Sequence, residues 1–218
     1  MRERARSIQD KAQRSEDLLD AAEALALELG GVRFVTVVAV TERAGLHRTG
    51  ARRYYASKEE LLLELAERGW GQWHGAVVSE LAERSDLTPR QVAELVAETI
   101  ASLPVFCDLL SHVAMSLEGD VDIERARRYK RNSFDVHDRM VTSLAGASTM
   151  TTRQVEELLA AAVAFAAGFW QVSHPTSSLA ALYRQVPEWG HIALDFTPKL
   201  THLLRATAMG LVALELNH

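Results

Sequence analysis

An all-α fold is what this sequence predicts, on three observations. Ala, Leu and Glu recur throughout the 218 residues while there are only 5 Pro, and those residues lose little side-chain freedom on a helical backbone. Apolar positions recur every three to four residues over most of the chain, the spacing of a one-sided helix. Strict apolar/polar alternation, the signature of a half-buried strand, is rare. The expected organisation is a small N-terminal three-helix domain followed by a larger helical domain.

The elements follow in order. Residues 1–14 are polar and Arg-rich without a sustained apolar face, and are expected to form a flexible basic arm. Ser15, followed by Glu16 and Asp17, reads as a helix start, with acids at the positive end of the dipole. Leu18, Ala22, Leu25, Ala26 and Leu29 then recur at helical spacing until Gly30-Gly31 stops the helix. Thr36 caps a second helix reaching Ala44, Gly45-Leu46 makes a tight turn, and a third short helix runs from about His47 to Tyr55. This first domain is placed at 15–60 and the second at 61–218.

Ser57-Lys58-Glu59-Glu60 reads as a capping box opening a long helix to about Arg84. Further helices are predicted from Thr88-Pro89 to Ser102, from Pro104 to Leu117, from Asp122 to Leu144 and from Thr151 or Thr152 to before His174-Pro175. A less regular stretch follows, and then a final helix with Leu200, Leu203, Leu204, Thr207, Leu211 and Leu214 on one stripe. No internal repeat or low-complexity linker interrupts the chain.

Charge and cysteine content narrow the function classes. The formal net charge is -5, which argues against a uniformly basic nucleic-acid binder. The distribution matters more than the total: residues 1–60 hold 11 Lys/Arg against 10 Asp/Glu, the remainder 13 against 19. Arg43, Arg48, Arg52, Arg53 and Lys58 form a local basic patch with no acid between them. Cys107 is the sole cysteine, so no disulfide framework or Cys-based zinc site exists within the chain and a reducing, cytoplasmic setting is expected. The start leads into no apolar core of a signal peptide. The longest near-continuous apolar run, Leu158 to Trp170, is shorter than the roughly 20 residues of a membrane span, so no membrane partner is expected.

Two short helices joined by a Gly turn, the second flanked by arginines, make a helix-turn-helix. Its second helix fits the major groove and presents side chains to base edges, while neighbouring groups grip phosphates. The residues sharpen the pattern: Leu18-Leu19-Asp20-Ala21-Ala22, then Gly30, Thr36-Val37, Ala44-Gly45-Leu46, and Tyr54-Tyr55-Ala56-Ser57-Lys58-Glu59-Glu60-Leu61. In this order, over roughly residues 15–65, they resemble the DNA-binding region of the TetR (tetracycline-repressor) family. The aromatic-x-Ser-Lys-Glu-x-Leu ending is the most specific element.

The resemblance implies an all-α homodimer that binds a palindromic double-stranded DNA operator, usually as a repressor released by a small-molecule effector. It implies groove contacts by Arg48, Thr49, Arg52 and Arg53, and phosphate contacts by Thr36, His47, Tyr54 and Lys58. A guanine edge read by one arginine is worth about 1–3 kcal/mol of discrimination. A solvated helix face is the plainer reading of Arg52 and Arg53, and Tyr55 is expected to pack in the three-helix core. The chain departs from the family pattern at Thr49-Gly50, where Gly-Thr is usual, at Arg52, where a tyrosine is usual, at Thr41, where alanine is usual, and in a Gly30-to-Thr36 loop longer by one residue.

In the second domain, Leu158, Ala162, Phe165, Ala166 and Phe169, with Leu203, Leu204, Thr207 and Leu211 of the last helix, resemble the pair that forms the family's dimer interface; the plainer reading is intrachain core. Pockets are mostly apolar with a few polar anchors, which selects Trp73, Phe106, Met115, Phe134, His137 and Trp170 as ligand contacts. For His137 a core or interface histidine is the commoner role. The run Arg125, Arg127, Arg128, Lys130 and Arg131 fits a solvated face, or one paired with acids such as Glu118, Asp120, Asp122 and Glu124 just before it, better than a second DNA site. No nucleophile triad, His-Glu-x-x-His or phosphate loop appears, so neither an enzyme nor a bound metal or cofactor is expected. A helical protein–protein module is the alternative.

Overall fold

The computed structural model describes residues 2–47, 53–192 and 195–215. Nine α-helices order these residues: α1 Arg2–Leu29, α2 Val37–Arg43, α3 Lys58–Leu81, α4 Pro89–Ala101, α5 Pro104–His112, α6 Ile123–Gly146, α7 Thr152–Ser173, α8 Ser177–Gln185 and α9 Phe196–Glu215. A π-helical turn, Val113–Leu117, extends α5. No strand occurs among the described residues; a single bridge, Leu87 to Ser148, ties the α3–α4 loop to the α6–α7 loop.

Helix starts follow the chemistry of the caps. The Thr36, Thr88 and Thr151 hydroxyls accept the N–H groups of Ala39, Gln91 and Gln154, each satisfying a donor with no partner inside its helix. Ser57 accepts from Glu60 N–H at 3.2 Å, while the Glu60 carboxylate takes the N–H of Ala56 at 2.7 Å, one residue ahead of the expected box. Two expectations need correction. Residues 2–14 continue α1 rather than forming an arm, because Arg, Glu, Ala, Gln and Lys propagate helix from a packed segment and Gln13 bonds Asp17 one turn on. Ser15 is therefore not a helix start; its hydroxyl lies 2.8 Å from the Tyr55 hydroxyl. The stretch after His174-Pro175, expected to be irregular, contains α8, capped by Thr176.

The first module buries Leu18, Leu19, Ala22 and Ala26 of α1 against Val32, Val35, Val40 and Tyr55. Its turn depends on Gly45, held at φ 67, a conformation that L side chains adopt only with strain, and on Leu46 N–H donating to Thr41 O. Buried Thr41 gives its hydroxyl proton to Val37 O, one turn back. Arg43 pairs with Glu28 across α1 and α2 at 2.6 Å. The expected boundary at 60/61 falls inside α3, which runs unbroken from the first module into the second; Arg68 of α3 pairs with Asp20 of α1 at 2.5 Å.

The second module packs α6 along α3, and α9 against α4 and α7. At its centre Trp70, Trp73 and Phe106 gather with ring centroids 5.4 to 6.1 Å apart. Gly69 admits Phe106: a Cβ there would stand 2.3 Å from Phe106 Cδ2.

Candidate functional site

Of the expected helix-turn-helix the structure describes α2 and the turn after it, whereas most of the third helix predicted from about His47 to Tyr55 lies outside the described residues. Arg48, Thr49 and Arg52, expected to contact the groove, lie outside the described residues. Thr36 caps α2, the helix that precedes the turn. His47 and Arg53 are exposed and Tyr54 is half-buried. Tyr55 is the core tyrosine, 4 % exposed. Lys58, assigned to phosphate, donates to Arg33 O at 2.8 Å, and burial lowers its pKa. That bond pins the start of α3 to the α1–α2 loop, a role the residue pattern did not reveal.

The loop between α1 and α2 is held from the second module. Asp108 of α5 is buried, and its Oδ2 accepts the backbone N–H of Val32 at 2.7 Å. Its Oδ1 accepts from Gln171 Nε2 of α7, also at 2.7 Å. A carboxylate is a strong acceptor for such paired bonds, and Gly31 lets it approach: a Cβ there would stand 3.3 Å from Oδ2. Above this link is a small cavity of about 220 Å³ bounded by Ala26, Gly30, Gly31, Asp108, Trp170 and His174. Trp170 stacks on His174 at 3.7 Å and meets Phe196 edge-on at 5.1 Å.

A larger cavity of about 600 Å³ lies between α3, α5 with its π turn, α6 and α7. Trp70, Leu110, Val113, Ala114, Ala160 and Val163 give its apolar wall; Glu118, Tyr129, Lys130, Ser133, Phe134 and His137 give the remainder. The Tyr129 hydroxyl accepts the Trp70 indole N–H at 3.1 Å, and burial pushes its pKa up to about 12, so it stays a neutral group. Glu118 and Lys130 pair at 2.8 Å. His137 Nδ1 is 3.3 Å from Asp138 Oδ1.

Two of the six ligand residues expected from the sequence, Phe134 and His137, meet in this cavity. Trp73 and Phe106 do not: they are 0 % and 2 % exposed, and the Trp73 indole N–H is spent on Thr99 Oγ1. Met115 projects from the π turn with 86 % of its surface in solvent, and Trp170 belongs to the smaller cavity. Composition favoured the largest aromatics, and large aromatics fill cores. Tyr129 and Ser133, which also line the cavity but were not among the six, stand eight and four positions before His137, so their shared helix face was legible in the spacing.

The expected interface residues divide. Leu158, Ala162, Ala166 and Leu204 are wholly buried within the protomer, so these four are intrachain core, while Phe165, Phe169, Leu203, Thr207 and Leu211 are half-buried. The outward faces carry instead Ala160, Ala164 and Gly168 on α7 and Ala206, Met209 and Leu214 on α9. Four of the five basic residues of the α6 run are paired, and Arg131 is exposed. Arg127 bonds Glu124 and Lys130 bonds Glu118, but Arg125 and Arg128 reach α3, at Glu67 (2.5 Å) and Glu64 (3.5 Å). Among the described residues no group of three or more His, Cys, Asp or Glu gathers to hold a metal.

The α1–α2 module, tied through Val32 and Arg33 to a larger helical domain with a wide cavity, fits the build of a transcription regulator. The chain belongs to the TetR family: the family described as "Tetracyclin repressor-like, C-terminal domain" matches residues 67–214, well over half of the chain. No curated protein sequence matches it. Among solved structures it is similar to the crystal structure of a transcriptional regulator FadR from Bacillus subtilis in complex with stearoyl-CoA. There the identity is 14 %, the match covers 88 % of this chain and 98 % of that one, and the TM-score is 0.49.

Proposed function

We propose that this TetR-family regulator is a cytoplasmic dimer that represses transcription from a palindromic operator and is released when a small molecule fills the 600 Å³ cavity. One observation carries the reading. α5 and its π turn present Leu110, Val113 and Ala114 to that cavity, and the same helix holds the helix-turn-helix loop through Asp108 and Val32. A molecule that displaces α5 thereby displaces the loop that sets the pitch of the helix-turn-helix. Arg53, His47 and Tyr54, with Arg48, Thr49 and Arg52, supply the DNA contacts. The ligand acts as an inducer only by the margin with which it prefers the non-DNA state, tenfold in operator affinity for each 1.4 kcal/mol or so.

Dimerisation is supported by α7. It is long and apolar enough to cross a membrane, yet little more than a quarter of its central window is buried inside the protomer. In a DNA-binding regulator that apolar surface calls for a second copy, and a two-fold dimer doubles the base pairs read by one short helix. The test is a fluorescence-anisotropy titration against DNA from upstream of the protein's own gene at two salt concentrations. Tight, salt-dependent binding that outcompetes random DNA, with two protomers or a multiple per site, is the expected result. Weak binding equal on random DNA, together with failure of a randomised-DNA selection to enrich a palindrome, overturns the reading.

A further inference from the structure

The cavity's wall specifies a ligand chemistry. Tyr129, Ser133 and His137 fall at i, i+4 and i+8 of α6, so they stand in a single row of about 12 Å along the helix, and all three line the cavity. Each has hydrogen-bonding capacity left over. Tyr129 accepts from Trp70 and keeps its own proton to donate. Ser133 donates to Lys130 O at 3.1 Å and keeps its lone pairs. His137 turns Nδ1 toward Asp138 and leaves Nε2 for a ligand. The facing wall is apolar, and the Trp70 ring, its N–H already spent, offers aromatic surface with nothing polar to satisfy. Phe134, 61 % exposed while lining the cavity, adds a second ring at its rim. The one charged pair, Glu118 with Lys130, neutralises itself at 2.8 Å, so the wall offers no net charge to a ligand of either sign.

We infer that the effector is an uncharged polycyclic aromatic compound bearing two or three oxygen atoms along one edge, spaced to meet Tyr129, Ser133 and His137. The inference rests on the proposal that this cavity is the effector site. One face of such a molecule covers Trp70, Val113 and Val163, and its oxygens run along α6. A long saturated chain would leave the Tyr129 proton without an acceptor and use none of the remaining capacity of Ser133 and His137. A cation or anion would compete with the Glu118–Lys130 pair.

The test uses the full-length protein and measures binding by quenching of tryptophan fluorescence. The probes are a trihydroxyflavanone, palmitate and tetraphenylphosphonium. The flavanone is expected to bind at least tenfold more tightly than either charged probe, and to weaken about tenfold in Tyr129→Phe and again in Ser133→Ala, the loss expected for a neutral hydrogen bond. Tighter binding of a charged probe, or flavanone affinity unchanged in both variants, overturns the inference. Nile red separates this from the parent reading, with Ala114→Trp, at an exposed cavity-lining position, filling the space. If filling abolishes dye binding and blocks release of DNA but the flavanone shows no preference, the chemical class is wrong and the effector site stands. If the dye binds the filled variant unchanged, both fall.

Discussion

Replacing Asp108 tests whether the two modules are joined through one carboxylate. In Asp108→Ala the Val32 N–H and the Gln171 amide lose acceptors at 2.7 Å each, and Val32 is buried. Hydrogen bonds to a charged acceptor contribute about 1.5–3 kcal/mol apiece. The desolvation cost of the carboxylate vanishes with it and offsets part of the loss. A net destabilisation of about 3 kcal/mol follows, which for a chain of this length lowers Tm by roughly 6–12 °C. Asp108→Asn keeps one oxygen for Val32 and loses the ionic strength of both bonds, so it falls about halfway. Thermal denaturation reads the first effect. Anisotropy on operator DNA reads the second, where Asp108→Asn is expected to weaken binding about tenfold because the α1–α2 loop is no longer held in register; that factor corresponds to about 1.4 kcal/mol. An unchanged Tm in Asp108→Ala would refute the energetic argument. A lowered Tm in both variants, with wild-type operator affinity in Asp108→Asn, would refute the coupling and leave Asp108 as a structural cap.

Three further expectations follow from the packing and the titrating groups. Gly69→Ala places a methyl 2.3 Å from the Phe106 ring; overpacking of about 1–3 kcal/mol outweighs the ~1 kcal/mol of helix propensity gained, so Tm falls by a few degrees, and a rise would show that Phe106 moves freely. Burial raises the Tyr55 and Tyr129 hydroxyls to about 12 from 10.0. Their neutral forms therefore stabilise the fold fully below pH 10, and this is lost as pH climbs from 10 toward 12 at about 1.4 kcal/mol per unit and group. Absorbance titration near 295 nm should show both ionising late, with one late group missing in Tyr129→Phe; early ionisation of both would contradict the buried placement. For the dimer, Met209→Glu and Ala164→Glu on the outward faces should give folded monomers by light scattering and circular dichroism, whereas Leu158→Glu, at a buried position, should unfold the chain. A wild-type monomer at micromolar concentration would remove the interface.

Helix positions were legible because periodicity and caps are local. Thr36, Ser57, Thr88 and Thr151 each open a helix where the residue pattern placed one. The start of α1 was not, because its first thirteen residues carry helix propensity without an apolar stripe, and the stripe was the stronger signal. Burial direction was legible only in part. Ala162, Ala166 and Leu158 share a face of α7 that looks like an interface by composition, yet the same composition suits intrachain core, and α5 and α9 claim that face. Which side of an apolar helix meets its own chain depends on packing partners far away in sequence. The same blindness hid the long-range contacts: Asp108 with Val32, across the module boundary, is 76 residues apart, and Arg125 with Glu67, within the second module, is 58.

In the proposed mechanism, those long-range contacts are what would let the half-open cavity of one module act on the other. α3 enters both modules as one helix and carries Trp70 to the cavity, while Lys58 at its first turn holds the Arg33 carbonyl. α5 makes a second connection through Asp108, and Gln171 of α7 braces that carboxylate from behind. The α1–α2 loop is thus gripped on consecutive residues, at Val32 by α5 and at Arg33 by α3. Two helices that both line the cavity fix the loop by different ends, so a ligand that parts α3 from α5 cannot leave both bonds intact. The π turn adjoining α5 is a local irregularity in the helix that lines the cavity, of the single-turn kind that interrupts α-helices. Transmission therefore requires no wire through the core, only a relative displacement of two helices whose far ends converge on one short loop.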